Sequence, residues 1–283
     1  MKIKNVGVVG AGIMGSGITQ ACAVAGTSVV MVDIAEAALS RGQQAIADSL
    51  TKLVDKGKLT VFHREAAMGR ISVSMDYRAF AQCDLVIEAA TENKPVKQRI
   101  LAQVDAILGP QAILATNTSS LSIDELAAST KRVDRFGGLH FFNPVPLMSL
   151  VEVISGLATS DATHQALVDF ARSIQKNPIT VRNSAGFAVN RILCPMINEA
   201  IFALQEGIAT ASDIDEGMRL GCNHPIGPLA LADMIGLDTL LSIMEVLHHD
   251  FGDPKYRPAP MLRSMVALGR LGRKARRGFF EYT

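Results

Sequence analysis

The residues of this sequence best suited to proton transfer are His140 and Glu152. Of the six histidines, His140 alone sits on a strand candidate running into a turn, Gly138-Leu139-His140-Phe141-Phe142-Asn143-Pro144. Alternation along a strand sets it on the face opposite Leu139 and Phe141. An imidazole titrating near neutral pH can remove an alcohol proton as hydride leaves the same carbon, and return it in the reverse direction. Glu152 interrupts the apolar run Leu150-Val151-Glu152-Val153-Ile154. A carboxylate is rarely buried alone; by accepting the second ring N–H it would orient the imidazole and stabilise its protonated form. Two plainer readings stand beside these: His140 as a satisfied structural residue, and Glu152 as a solvent-facing position on an edge strand.

A second group suits an anionic ligand. Gly10-Ala11-Gly12-Ile13-Met14-Gly15 follows an apolar strand candidate and opens a helix candidate, the setting that gives G-x-G-x-x-G its meaning as a dinucleotide turn. Gly10 permits the tight turn, Gly12 lets the backbone approach a pyrophosphate, and Gly15 allows close helix–strand packing. The helix N-terminus then offers N–H groups and a positive dipole to the phosphates. Asp33, about twenty residues further on at the end of the next strand, can accept hydrogen bonds from an adenosine ribose diol and would repel a 2′-phosphate. No Arg or Lys follows it in Ile34-Ala35-Glu36, which favours NAD over NADP as cofactor. The plain alternatives are an ordinary strand-to-helix turn for the glycines and a helix N-cap for Asp33.

Positioning these groups requires strands whose ends converge. Residues 3–9 and 29–32 read as strands around a helix at 13–25, a βαβ unit. A long amphipathic helix at 36–56 follows, then strands near 71–74, 85–88, 113–116, 137–142, 150–154 and 179–181. Beyond Asn183-Ser184-Ala185-Gly186 the strand signal stops, and 188–206, 212–220, 229–248 and 260–268 carry helical apolar spacing. The fold class is therefore α/β: a Rossmann-type, doubly wound, mainly parallel sheet over residues 1–184, followed by an all-α domain over 185–283.

With 283 residues, 48% of them hydrophobic and 19% charged, the chain can bury two cores. A formal net charge of +1 supplies no broad field for nucleic acid or an anionic membrane, and the basic run from Arg270 to Arg277 reads as a solvated tail. No apolar run is long enough to cross a bilayer. Lys2, Lys4 and Ala21-Cys22-Ala23 loosely imitate a secretory signal, but Gly10, Gly12, Gly15 and Gly17 interrupt its apolar part. Cys22, Cys83, Cys194 and Cys222 form no C-x-x-C pair, so neither a zinc knuckle nor a redox motif is written, no metal is expected, and a reduced cytoplasmic protein fits best.

Taken together, the motifs resemble the 3-hydroxyacyl-CoA dehydrogenase family, and within it the single-function bacterial branch acting on 3-hydroxybutyryl-CoA. The likeness spans essentially the whole chain. It rests on the 10–18 glycine turn, Glu88-Ala89-Ala90-Thr91-Glu92, Asn117-Thr118-Ser119-Ser120-Leu121-Ser122-Ile123, and His140 through Met148. It extends to Gly186-Phe187-Ala188-Val189-Asn190-Arg191-Ile192 and to Gly227-Pro228 through Asp238.

The resemblance implies that His140 is the acid/base catalyst and Glu152 its orienting partner, with Ser119 and Asn190 contacting substrate near the reacting carbon. Glu92, Lys97, Ser119 and Asn143 would help to hold NAD. Ser49 and Lys56 match positions that contact CoA, and Lys52 lies one turn before Lys56, on the same helix face. Exposed lysines are also ordinary solvated residues. The helical second domain would form a homodimer interface, and Asn190 would reach the site from it. Two departures stand out: Ser149 where relatives often carry Lys, and Arg276 where Gly is common. Two rivals differ in kind: a dehydrogenase of a free hydroxy acid or a carrier-protein-bound hydroxyacyl group, and a non-catalytic NAD-binding structural protein.

Overall fold

A computed structural model describes residues 3–283; Lys2, one of the lysines of the signal-like segment, lies outside the described residues. The chain forms two compact units that divide between Ser184 and Ala185.

The first unit runs β1 (Asn5–Val9), α1 (Ile13–Val24), β2 (Ser28–Val32), α2 (Glu36–Asp55), α3 (Val61–Met68) and β3 (Ile71–Ser74). It continues through β4 (Leu85–Glu88), α4 (Lys94–Asp105), β5 (Ile113–Thr116), α5 (Ile123–Ala127), β6 (Phe136–Phe141), β7 (Leu150–Ser155), α6 (Asp161–Ser173) and β8 (Asn177–Arg182). The strands make one sheet in the order β3-β2-β1-β4-β5-β6-β7-β8. Neighbours are parallel except β6 and β7, which pair antiparallel. The order reverses direction between β1 and β4, the crevice position for a ligand in a doubly wound sheet.

The central strands are the continuous apolar runs of the sequence because both faces are covered; β4, β5 and β6 are buried throughout. Ile18 and Cys22 of α1 and Leu167 and Phe170 of α6 share a core with Val8, Ile87, Leu139 and Val153. Each such Leu or Phe contributes roughly 1.5–3 kcal/mol by leaving water. Leu39, Ile46 and Leu50 of α2 pack with Met31 and Ala67 in a second cluster. β8 outruns its three-residue apolar signal because it is an edge strand, mostly exposed, and carries Pro178 near its start.

The second unit is helical: α7 (Val189–Gln205), α8 (Ala211–Gly221), α9 (Pro228–Ile235), α10 (Leu237–Phe251) and α11 (Pro260–Ala267). The single helical segment expected over 229–248 is in fact two helices. They break at Gly236, whose φ of +99° lies outside the helical range. The basic C-terminal run is not merely a solvated tail. Asp233, 1% exposed, accepts hydrogen bonds from the N–H groups of Phe279 and Phe280 and from the Tyr282 hydroxyl, and Lys274 pairs with Asp238 at 2.6 Å.

Arg276 sits in this clip at φ +56°, the left-handed region that favours glycine. Arg276 therefore carries a local backbone cost there. Arg276→Gly is expected to raise stability by about 1 kcal/mol, since a non-glycine residue in that region costs roughly 1–2 kcal/mol and glycine gives part back in backbone entropy. Unchanged chemical denaturation midpoints would contradict this.

All four cysteines are free. Burial pushes the thiols of Cys22, Cys83 and Cys194 up to about 12, whereas Cys222 is exposed. Alkylation of the native protein should therefore modify Cys222 and spare the other three, which peptide mass mapping reads directly. No helix among the described residues is long and apolar enough to cross a membrane.

Candidate active site

β6 and β7 pair in a register that sets His140 directly opposite Glu152. The His140 Nδ1 and a Glu152 carboxylate oxygen lie 2.7 Å apart, with His140 6% exposed and Glu152 fully buried. Because β7 lies between β6 and β8, the solvent-facing edge reading of Glu152 is excluded. Leu139 and Phe141 enter the core, as the alternation requires. The end of β6 is tied to the end of β5 by the Phe141 N–H, which donates to the Asn117 side chain at 2.8 Å. The His140 and Phe142 rings lie 4.5 Å apart.

The glycine turn connects β1 to α1. Gly10 has φ +98°, its N–H donates to the Val32 carbonyl at 2.7 Å, and a Cβ there would meet the backbone of Ala89 and Ala90. A Cβ on Gly15 would fall 1.9 Å from the Gly10 carbonyl oxygen, so the motif's last glycine protects the turn itself. Gly12 differs: nothing lies within 4 Å of its Cβ position, and no side chain caps α1 behind it. Its open backbone and uncapped N–H groups suit a pyrophosphate.

Asp33 closes the turn. One carboxylate oxygen accepts the Ala11 N–H at 2.9 Å and the other accepts the Ala35 N–H at 3.1 Å. It is not the N-cap of α2, a place taken by Ala35. Each oxygen keeps a lone pair for a ribose diol, so these residues fit NAD. Asp33→Ala is expected to weaken NADH binding and narrow its margin over NADPH, because the diol acceptor and the repulsion of a 2′-phosphate both go. Fluorescence titration with both nucleotides checks this, and an unchanged preference would remove Asp33 from the cofactor site.

A hydrogen-bond network that runs inward from exposed Glu92 to a buried ion pair supports Ser119. Glu92 accepts hydrogen bonds from the Ser119 N–H at 2.6 Å, the Ser119 hydroxyl at 2.8 Å and the Thr118 hydroxyl at 3.2 Å. The Lys97 ammonium, 1% exposed, lies 2.5 Å from Glu88 and 3.5 Å from Glu92, and donates to Thr116 at 3.4 Å. Lys97 therefore pairs with Glu88 and backs Glu92. Glu88 and Thr116 were not singled out from the sequence, although a carboxylate ending the run Leu85-Val86-Ile87 and a lysine nine positions later on α4 is a readable signal.

Asn143 is exposed and borders, with Gly12 and Ile13, a cavity of about 340 Å³ between α1, α2 and the segment after β6. Met14 packs against the core. The 143–148 segment is held from below by Lys176, another residue that sequence reasoning missed. Its ammonium donates to the carbonyls of Val145 at 2.6 Å and Met148 at 2.8 Å, and burial pushes its pKa below the usual lysine range. Ser149, the first departure, is exposed next to this segment, and nothing in the structure explains it.

The other candidates lie on α2 and α7. Ser49 is half-buried on α2, Lys52 is exposed one turn before its end, and Lys56 is the exposed residue at which α2 stops. Asn190 is buried in the first turn of α7, in the second unit.

Comparison with known proteins covers both units. The family model described as 3-hydroxyacyl-CoA dehydrogenase, NAD binding domain, matches residues 5–184, and that described as 3-hydroxyacyl-CoA dehydrogenase, C-terminal domain, matches 186–282. A probable 3-hydroxybutyryl-CoA dehydrogenase of Deinococcus radiodurans is 51% identical over 276 residues, covering 98% of this chain and 99% of its own. A 3-hydroxybutyryl-CoA dehydrogenase of Bradyrhizobium diazoefficiens is 49% identical over 280 residues, covering 99% and 96%. The crystal structure of an (S)-3-hydroxybutyryl-CoA dehydrogenase from Ralstonia eutropha matches with a TM-score of 0.97 at 59% identity, over 100% of both chains. With both of its units matched in order, this chain belongs to the 3-hydroxyacyl-CoA dehydrogenase family of NAD-dependent enzymes.

Proposed function

We propose that the protein interconverts an (S)-3-hydroxyacyl-CoA and the corresponding 3-oxoacyl-CoA, with the C4 pair 3-hydroxybutyryl-CoA and acetoacetyl-CoA as its first substrates. The observation that carries this reading is the buried His140–Glu152 pair, 2.7 Å apart in register on adjacent strands of the unit that holds the glycine turn. The names of the relatives support the short acyl chain.

When bound, NAD supplies the acceptor for the hydride that leaves C3, and NADH returns it. With Nδ1 held by Glu152, Nε2 of His140 takes the hydroxyl proton as C3 becomes a carbonyl, and the carboxylate offsets the charge on the ring. In reduction the same nitrogen delivers that proton to the forming alkoxide. Ser119 and Asn190 contact the C3 or thioester oxygen, because a hydroxyl and an amide donate without titrating. The Ser119 hydroxyl lies 2.8 Å from Glu92, whose carboxylate its backbone N–H also holds in place. Asp33, the glycine turn, Glu92, Lys97, Ser119 and Asn143 hold NAD, and Ser49, Lys52 and Lys56 receive the CoA end.

The helical unit pairs with a second copy of itself. Ile192, Ile208, Leu220 and Leu268 are 71–75% exposed there, which supports a buried homodimer face. Free cysteines with three buried thiols support residence in the reducing cytoplasm. The deciding experiment follows NADH and NADPH absorbance with acetoacetyl-CoA, longer 3-oxoacyl-CoA esters, free 3-oxo acids and carrier-bound acyl groups. NADH-dependent reduction, fastest on acetoacetyl-CoA, is expected. Preference for free acids or carrier-bound groups would overturn the CoA assignment, and no turnover of any would leave a binding protein.

A further inference from the structure

The cavity beside α1 has a wall chemistry that the hydride transfer itself does not use. Its lining is largely apolar, with Ile13, Ala45, Ile46, Pro144, Val145 and Pro146 among its residues. Among the described residues lining it, Arg41 is the one that carries charge. Arg41 is exposed and makes no hydrogen bond or ion pair among the described side chains, so no internal partner accounts for it. One border of the cavity is the Asn143–Pro146 segment that follows His140 on β6.

The position of Arg41 on its helix adds direction. At 100° per residue, Arg41, Ala45, Ser49, Lys52 and Lys56 fall within about 80° of one another, a single stripe about 22 Å long. Arg41 stands at the cavity end and Lys56 at the far end. Asp48 and Asp55 flank the stripe on one side, and Asp48 already accepts a hydrogen bond from Gln44 at 2.8 Å. A largely apolar cavity edged by one cation, with two more further along the same helix face, suits a ligand with an uncharged arm and several phosphates. A free hydroxy acid has neither.

We infer that Arg41 is a specificity-determining residue, whose guanidinium receives a phosphate of the CoA carrier at the cavity mouth and so begins the stripe that Lys52 and Lys56 continue. The inference rests on the CoA-thioester reading above. A guanidinium binds a phosphate through two parallel hydrogen bonds, which a lysine cannot reproduce. A phosphate could also come from NAD, whose pyrophosphate site at Gly12 borders the same cavity, and the test separates the two sources.

The test compares the parent enzyme with Arg41→Gln and Arg41→Lys, using acetoacetyl-CoA, the phosphate-free thioester acetoacetyl-pantetheine, and NADH. Loss of one charge-assisted contact is expected to raise KM for acetoacetyl-CoA about tenfold in Arg41→Gln. The advantage of the CoA thioester over the pantetheine thioester in kcat/KM should shrink by the same factor, KM for NADH should hold within twofold, and Arg41→Lys should recover only part of the loss. A KM for acetoacetyl-CoA that does not move, or a rise shared equally by both thioesters, overturns the inference. A rise in KM for NADH instead assigns Arg41 to the cofactor and overturns it too. Failure of the parent enzyme on every CoA thioester would be a failure of the proposed function, a separate outcome.

Discussion

Replacing His140 should cost on the order of 10²–10⁴ in turnover of acetoacetyl-CoA, the usual range for a positioned acid/base group, while KM for NADH stays near its parent value. The choice of replacement matters because of the partner. His140→Ala removes the imidazole from the fully buried carboxylate of Glu152, and breaking a buried pair by deleting one partner costs about 3–5 kcal/mol. A dead and unfolded variant would teach nothing about chemistry. His140→Asn keeps an N–H donor within reach of Glu152 but has no group that titrates near neutral pH. The expected result is that both variants lose turnover, and that His140→Asn melts closer to the parent. Glu152→Gln supplies the complement: the ring stays but its brace loses charge, and turnover should fall while KM for NADH holds. Reduction of acetoacetyl-CoA by His140→Asn at the parent rate would refute the assignment.

The second large effect separates two glycines that one motif treats alike. Gly15→Ala forces a Cβ to within 1.9 Å of the Gly10 carbonyl oxygen, a backbone atom that cannot turn aside. The turn must open or α1 must shift. This variant is expected to lose NADH affinity by more than about tenfold and stability by several kcal/mol, as backbone clashes in a packed core do. Gly12→Val is expected to lose NADH affinity to a similar degree while its melting temperature stays close to the parent, because nothing lies within 4 Å of the Cβ position and the new side chain takes only space reserved for the ligand. Calorimetric melting combined with NADH titration distinguishes them. Equal destabilisation of both variants would show that Gly12 serves the fold.

These two sets of residues also mark how far the sequence could be read. The central strands were legible because a sheet covered on both faces must be apolar on both, so β4 and β5 appear as unbroken runs. The His140–Glu152 contact was legible because an acid inside an apolar strand demands a partner, and the nearest titratable ring lay one strand away. Helices α4 and α6 were overlooked, though Asn93 with Pro95 and Ser160 supply their N-terminal signals: both side chains cap, accepting from the N–H groups of Val96 and Thr163. The break at Gly236 was missed because apolar spacing continues through it. The burial of Lys97, which the family resemblance alone had marked, and that of Lys176 were beyond reach for a different reason. A lysine in the sequence looks like a surface charge, and only the tertiary packing shows one buried against Glu88 and the other against two carbonyls.

The one antiparallel pairing in the sheet bears on how this chemistry tolerates change. Since β6 and β7 form a single hairpin, the ring and its acid are inherited as one short cassette, and the connection at 142–149 can vary in length without separating them. A deletion inside either strand is another matter: a slip of one position turns the acid onto the opposite side of the sheet. Insertions drawn from distant homologues should thus accumulate in the connection and be missing from the two strands that flank it.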